Sequence, residues 1–193
     1  GMDDGEDIRL TSDNNSVILS DLTANKTSDV YYWDAMLFSA QSKPNGLEFL
    51  SVLKPDVLIS TGTTTISKGL KRFLQFHKPA HHFHISSFYE VGDMFDTKPT
   101  IIHPKDIRAV EESYKNIDGE RTGAYVNAWF NMTREFEERF GKLAWSKYNE
   151  FCATNYVLSK IPKDAIVHVS NSMPPRYVSF LLNSDIRNFT VYC

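Results

Sequence analysis

Residues 55–74 read P-D-V-L-I-S-T-G-T-T-T-I-S-K-G-L-K-R-F-L. The uninterrupted apolar run from Val57 to Ile59 predicts a buried strand of a parallel sheet, because strands covered on both faces lack polar alternation. A polar Gly/Thr loop follows, and apolar residues then recur at helical spacing, at Ile66, Leu70, Phe73 and Leu74. This order of strand, loop and helix indicates an α/β fold.

The same alternation extends to both sides of this unit. Apolar runs predict further strands at residues 17–19, 82–86, 100–102, 165–170 and 189–192. Helical spacing predicts helices at residues 33–38, 47–53, 66–74, 107–114, 125–140, 145–156 and 173–182. Together they predict a parallel sheet flanked by helices, followed by the first β/α elements of a second α/β domain.

Composition suggests four parts in the chain. Residues 1–16 are acidic and polar without periodicity, which predicts a flexible lead-in. Residues 17–116 form the predicted central α/β domain, 117–144 a linker and helix, and 145–193 the beginning of a second domain. The linker is marked by the polar stretch N-I-D-G-E-R-T-G at residues 116–123.

Charge and cysteine content exclude some classes of protein. A formal net charge of −3 with dispersed basic residues argues against nucleic acid as a partner. No segment reaches the roughly 18–20 apolar residues of a membrane span, and no signal sequence is seen. The two cysteines, Cys152 and Cys193, suit a reducing compartment, and Cys152 is expected to be buried and inert. We therefore expect a cytoplasmic protein without a membrane partner.

Two loop-to-helix segments contain candidate ligand-binding residues. In the first, residues 60–70, the backbone N–H groups of the helix start and the side chain of Lys68 could hold an anion. The alternative is a capped helix start with a solvated lysine. In the second, S-N-S-M-P-P-R-Y at residues 170–177, Ser172 can cap a helix whose first turn contains Arg176. A cation is unfavourable at that end of a helix, so Arg176 either binds a carboxylate or reaches solvent or a neighbouring Glu.

A histidine cluster offers a third candidate site. His82 and His84 should point to one face of a strand, where they could ligate a metal. No third ligand is spaced convincingly, so structural histidines are the favoured interpretation and no metal site is predicted.

These segments resemble the 2-succinyl-5-enolpyruvyl-6-hydroxy-3-cyclohexene-1-carboxylate synthase family. The resemblance rests on P-D-V-L-I-S-T-G (55–62), S-K-G-L-K-R-F-L (67–74), H-F-H-I-S (82–86), V-S-N-S-M-P-P-R-Y (169–177) and F-T-V-Y-C (189–193). The blocks keep the family's order and spacing over about residues 17–193. The resemblance implies an incomplete central domain and the opening of a C-terminal diphosphate-binding domain.

The resemblance also implies roles for individual residues. Lys68, Ser172 and Arg176 match family residues that contact substrate. Gly69 stands where many members have arginine, so either Lys71 or Arg72 compensates or the substrate is held less tightly. Thiamine diphosphate and Mg²⁺ (or Mn²⁺) would be held by a G-D-G segment, whereas Gly92-Asp93 here continues with Met94. The family's activating glutamate belongs to an N-terminal domain, so no catalytic, cofactor or metal residue is expected within this sequence.

The resemblance therefore predicts a fragment of a thiamine-diphosphate-dependent transferase of menaquinone biosynthesis. The whole enzyme would add the decarboxylated 2-oxoglutarate unit to isochorismate and form a homo-oligomer. The fragment alone is predicted to be inactive, whether it is an engineered piece or comes from a truncated gene. The alternative is a stand-alone, non-catalytic α/β module that binds anionic ligands at the same residues.

Overall fold

A computed structural model describes residues 15–24, 28–88, 91–107, 112, 123–142, 148–181 and 189–193. The helices are α1 (Trp33–Gln41), α2 (Gly46–Phe49), α3 (Lys68–Phe76), α4 (Ala124–Phe140), α5 (Glu150–Leu158) and α6 (Met173–Leu181). The strands are β1 (Val57–Thr61), β2 (His81–Ile85), β3 (Thr100–Ile102), β4 (Ile166–His168) and β5 (Thr190–Tyr192). Short 3₁₀ helices cover Leu22–Ala24, Leu50–Leu53 and Pro104–Asp106. The predicted α/β class is confirmed.

The first sheet is parallel, with its strands in the order β1-β2-β3. Val57 pairs with His81 at one end of β1 and Thr61 with Ile85 at the other. Parallel neighbours need a crossover connection, and α3 lies in the one between β1 and β2. The sequence-predicted strands around residues 57–60, 82–86 and 100–102 are thus confirmed.

The larger apolar core includes residues of α1, α3, α4 and the 3₁₀ helix Leu50–Leu53. Its most completely buried large side chains are Leu37, Leu50, Leu53, Phe73 and Trp129. The Phe73 ring meets Trp129 edge-on, with centroids 6.3 Å apart. Burial of one such side chain stabilises the fold by about 1.5–3 kcal/mol, so this cluster fixes α3 against α1 and α4.

A second, smaller unit surrounds the parallel pair β4–β5. Ile166 pairs with Thr190 and His168 with Tyr192. Its core consists of buried apolar residues from the Leu22–Ala24 turn, α5, α6 and β5, namely Leu22, Leu158, Val178, Leu181 and Val191. The strands predicted around residues 165–170 and 189–192 and the helix around 173–182 are confirmed.

Helix α1 connects the two units. It contacts α3 of the first unit and α6 of the second. The rings of Phe38 on α1 and Phe180 on α6 pack with centroids 5.1 Å apart. The helices that begin in the two loop-to-helix segments, α3 and α6, are therefore both packed against α1.

The strand predicted at residues 17–19 is wrong. Residues 16–20 lie outside the strands of both sheets, and the segment contacts a loop instead of a neighbouring strand. The Ile18 N–H donates to the Asp29 carboxylate at 2.6 Å, and the Ser20 N–H donates to the Ser28 hydroxyl at 2.7 Å. Side chains of Ser28 and Asp29 thus satisfy backbone groups that a strand would pair across a sheet, which an apolar run does not reveal.

The remaining predicted elements are partly within the described residues. The helix predicted at 125–140 is confirmed as α4, which ends at Phe140 with Gly141 as its C-cap. The helix predicted at 145–156 begins later, at Glu150, because the Asn149 side chain caps it by accepting from the Cys152 N–H. Most of the predicted lead-in, of the helix at 107–114 and of the linker at 116–123 lies outside the described residues. Among the helices that are described, none is long and apolar enough to cross a membrane.

Candidate functional site

Lys68 is the first residue of α3, directly after the loop that follows β1. Ser67 precedes it in extended backbone, and its hydroxyl accepts from the Leu70 N–H at 2.9 Å. This is the geometry of a helix N-cap, so the helix start is capped as one sequence interpretation predicted. The Lys68 side chain is exposed at that end of the helix, next to the positive end of the helix dipole. The Lys68 ammonium and the partial positive charge of the helix end together favour an anionic ligand there.

The loop before Lys68 already has an internal anion. The Asp21 carboxylate accepts from the Thr65 hydroxyl, from the Ile66 N–H at 2.7 Å and from the Ser67 N–H at 3.4 Å. These backbone amides are therefore occupied within the chain. An external carboxylate at this helix start would rely on the Lys68 side chain more than on the loop.

Asp21 also marks where the two units approach each other. Desolvation raises the pKa of the Cys193 thiol, and the Asp21 carboxylate raises the pKa further by repulsion. Cys193 directly follows β5, and Thr65 lies in the loop that follows β1. Leu22, beside Asp21, packs in one apolar cluster with Val191 of β5, and Thr65 donates to Asp21, so the carboxyl ends of β5 and β1 are both close to this aspartate. Open α/β sheets bind ligands at the carboxyl ends of their strands.

Gly69 lies in close contact with α1. A Cβ atom at this position would lie 3.3 Å from the Phe38 backbone nitrogen and 3.4 Å from the Leu37 side chain. The Gln41 side-chain amide donates to the Gly69 carbonyl at 2.8 Å. A larger residue would need α1 to yield by a few tenths of an ångström, so this packing disfavours the arginine that the family resemblance leads one to expect.

Two further cations follow on α3. Lys71 and Arg72 lie three and four residues after Lys68, and such positions are neighbours on a helix surface. Arg72 is the more exposed of the two. It can supply a second positive charge beside Lys68 without disturbing the contact at Gly69.

Ser172 and Arg176 lie at the start of α6. Ser172 precedes the helix in left-handed backbone, at φ 85°, instead of the extended backbone usual for a capping residue. Its N–H donates to the Asn171 side chain at 2.8 Å. Arg176 is half-buried, and its guanidinium lies 3.5 Å from the Met173 sulfur. Within the described part of the chain it forms no salt bridge, so the predicted alternative of a Glu partner is not seen.

Asp34 on α1 is hydrogen-bonded to Ser67, just before α3, and to Ser179 on α6. Ser67 donates to one of its carboxylate oxygens at 2.5 Å, and Ser179 of α6 donates to the other at 2.6 Å. Burial raises the pKa of Asp34. The hydrogen bonds from Ser179 and Ser67 lower this pKa in part, and repulsion from the Asp21 carboxylate raises it. No direct hydrogen bond joins Lys68 to Ser172 or Arg176 within the described residues. The connection between their helices runs through Asp34 of α1.

The histidine cluster forms a buried polar network. The Ser60 hydroxyl is hydrogen-bonded to His82 Nε2 at 2.7 Å and to His84 Nδ1 at 2.8 Å. His82 Nδ1 is hydrogen-bonded to the Thr97 hydroxyl at 2.6 Å. Desolvation, reinforced by His84 and opposed by Asp93, lowers the pKa of His82 to about 4. The two imidazoles share one face of the sheet as predicted, and they are bonded to hydroxyl groups there.

The hydrogen bonds of Asp93 bear on whether this chain could hold the cofactor's diphosphate and metal. Its carboxylate accepts from the N–H groups of Phe95, Thr97 and Lys98, at 3.3, 3.1 and 2.7 Å. Both oxygens are therefore used to hold their own loop. Among the residues that the structure describes, no group of three or more His, Cys, Asp or Glu could hold a metal ion. The described residues do not fit a metal–diphosphate site.

Sequence reasoning missed Asp21 and Asp34. Neither belongs to a recognisable motif, and their partners lie 44 to 46 residues away for Asp21 and 33 and 145 residues away for Asp34. An acidic residue at the start of a helix is common, so sequence carried no signal for either contact. Cys152, predicted to be buried, is only half-buried.

Comparison with known proteins gives a consistent result. No protein-family model matches the chain. The 2-succinyl-5-enolpyruvyl-6-hydroxy-3-cyclohexene-1-carboxylate synthase of Bacteroides thetaiotaomicron is 28% identical over 146 residues, which are 75% of this chain and 24% of the relative. Those of Christiangramia forsetii and Cytophaga hutchinsonii are 24% identical over 186 residues and 30% identical over 150. The two alignments cover 95% and 74% of this chain, and 32% and 25% of the relatives.

The chain thus spans about a quarter to a third of the length of these curated relatives. The matches carry one shared name, and the longest of the three includes nearly the whole chain. They confirm the resemblance that the motifs indicated, and they identify the chain as a relative of one segment of the 2-succinyl-5-enolpyruvyl-6-hydroxy-3-cyclohexene-1-carboxylate synthases.

Proposed function

We propose that the chain is a segment of a thiamine-diphosphate-dependent transferase of menaquinone biosynthesis. The whole enzyme adds the decarboxylated 2-oxoglutarate unit to isochorismate. The observation that carries this proposal is the shared name of the relatives, which align with 74% to 95% of the chain. The parallel α/β architecture supports the same assignment.

Within this enzyme, Lys68, Ser172 and Arg176 bind substrate carboxylates. Arg176 can hold a carboxylate through two parallel hydrogen bonds, and Lys68 supplies a compact positive charge. Both lie at helix starts that follow strands, the edge at which such sheets bind ligands. Their lack of a salt-bridge partner within the described residues leaves both cations available.

The experiment is a titration of the isotopically labelled chain with 2-oxoglutarate, followed by NMR. We expect amide shifts around residues 67–70 and 172–176. Arg176→Ala should weaken binding about tenfold or more, since a charge-assisted hydrogen bond contributes about 1.5–3 kcal/mol. Arg139→Ala is the matched control, because Arg139 is an exposed helical arginine that forms a salt bridge with Glu135. Equal affinities of the parent, Arg176→Ala and Arg139→Ala chains for 2-oxoglutarate would contradict the assignment.

We further propose that this chain alone neither binds the cofactor nor decarboxylates 2-oxoglutarate. The carboxylate of Asp93 is engaged by its own loop, and the cofactor would be held by other parts of the enzyme. Calorimetry with thiamine diphosphate and Mg²⁺ should show no heat of binding. Micromolar affinity would overturn this proposal without affecting the substrate residues.

The whole enzyme is proposed to be a cytoplasmic homo-oligomer, and the chain to self-associate through apolar surface. Large exposed apolar side chains such as Phe49, Tyr156 and Ile166 support this. A monomer in light scattering at high concentration would refute self-association. A stand-alone binding module is the alternative function, and reading the coding sequence on both sides of this segment would distinguish the two.

A further inference from the structure

Asp34 is a buried carboxylate whose two oxygens serve different parts of the fold. Only 3% of the residue is exposed. Its Oδ1 atom accepts from the Ser67 hydroxyl of the first unit, and its Oδ2 atom accepts from the Ser179 hydroxyl of the second. A carboxylate in a low-dielectric interior is costly, and a well-packed apolar residue would often stabilise such a contact better. The arrangement therefore points to a requirement for defined geometry.

Each serine is next to a proposed substrate-binding residue. Ser67 directly precedes Lys68 and caps the helix that Lys68 begins. Ser179 lies three residues after Arg176 on α6, so the two side chains occupy adjacent positions on one side of that helix. One carboxylate thus contacts the immediate neighbours of both cations.

Other contacts keep α1 in place between the two helices. On the α3 side, these contacts are the close approach at Gly69 and the bond from Gln41 to the Gly69 carbonyl. On the α6 side, the Phe38 and Phe180 rings pack together. These contacts make α1 a firm support for Asp34.

We propose that Asp34 is a positioning residue that sets the distance between Lys68 and Arg176, so that the two cations hold the two ends of one small dicarboxylate. This inference rests on the proposed function, because it takes Lys68 and Arg176 as the ligand-binding residues. Asp34 itself does not touch the ligand. A ligand with a single carboxylate needs only one of the cations, so it gains nothing from their spacing.

The test compares two ligands that differ in one carboxylate, 2-oxoglutarate and 2-oxobutyrate, by NMR titration of the full chain. The parent chain should bind 2-oxoglutarate at least about tenfold more tightly, a selectivity equivalent to about 1.4 kcal/mol. Asp34→Asn should reduce that ratio to less than about threefold, with 2-oxobutyrate binding changed by less than about twofold. General loosening of the fold would weaken both ligands alike and leave the ratio unchanged, which would overturn the proposal.

A second pair of variants covers the case in which Asp34→Asn does not fold. Ser179→Ala removes one of the two hydroxyl donors, and Ser179→Thr keeps it. The proposal expects a reduced ratio for Ser179→Ala and a ratio near the parent's for Ser179→Thr. Equal ratios in the two variants would refute it.

Lys68→Ala and Arg176→Ala separate this inference from the proposed function. If neither weakens 2-oxoglutarate binding, the proposed substrate site is wrong, and the positioning role is refuted with it. If both weaken it while Asp34→Asn and Ser179→Ala keep the parent's ratio, the substrate site stands and only the positioning role fails.

Discussion

The β1–α3 and β4–α6 regions share one sequence pattern, but their helices begin in different ways. Each has a strand, a serine-containing loop and a helix with a basic residue in its first turn. In the first region Ser67 is extended and caps the helix, while Asp21 accepts hydrogen bonds from the loop. In the second, Ser172 has φ 85°, which is a strained conformation for a residue with a side chain. The comparison shows that a capping serine in sequence does not ensure a cap in the fold.

Of the changes considered, removal of Asp21 should have the largest effect on stability, and it acts on the first of the two helix starts. Asp21→Ala leaves the Thr65 hydroxyl and the Ile66 and Ser67 N–H groups without their acceptor. Bonds to a charged acceptor contribute about 1.5–3 kcal/mol each and are not additive, so we expect a loss of about 4 kcal/mol in the free energy of unfolding. Urea unfolding measures it. Glu138→Ala, at an exposed position of α4, should cost less than about 0.5 kcal/mol. Similar losses in the two variants would contradict the role of Asp21.

Lowering the pH should destabilise the chain through His82 of the first sheet. The folded chain holds the pKa of His82 at about 4, below its ordinary value of 6.5, because burial disfavours the charged ring. The unfolded chain therefore takes up a proton between these two values. The stability contributed by His82 is complete above about pH 6.5 and is lost as the pH falls to about 4, by up to about 3 kcal/mol.

The measurement for this effect is urea unfolding of the parent and of His82→Gln at several pH values. The difference in stability between the two proteins should shrink as the pH falls from 6.5 to 4. A difference that is constant over this range would show that His82 titrates alike in the folded and unfolded chains. His168→Gln is the control variant, because His168 is exposed on the second sheet and lacks this burial.

The smallest effect concerns the two serines themselves. Ser172→Gly should raise the free energy of unfolding by up to about 1 kcal/mol, because glycine adopts positive φ without the steric cost of a Cβ atom. Ser67→Gly is the matched change in the first region. It should lower stability by about 2 kcal/mol, since it removes the donor to the buried Asp34. Changes of the same sign in both variants would show that the two helix starts are alike.

Much of the local structure could be predicted from sequence. The run Val57-Leu58-Ile59 and the helical spacing of Phe73 and Leu74 identified β1 and α3, because burial on both faces and on one helix face leave different apolar patterns. The strand predicted at residues 17–19 failed for a complementary reason. Its apolar run is real, but Ser28 and Asp29 satisfy its backbone.

The sequence by itself determined the α/β class, the positions of Lys68, Ser172 and Arg176 at two helix starts, and the resemblance to the synthase segment. These features follow from local patterns of apolar and polar residues, which are readable within about twenty positions. Only the tertiary structure decided that Asp21 occupies the amides before α3, that α1 packs tightly against Gly69, and that Asp34 joins Ser67 to Ser179. Such contacts depend on how separate elements pack, and hydrogen bonds between residues up to 145 positions apart leave no periodic trace in a sequence.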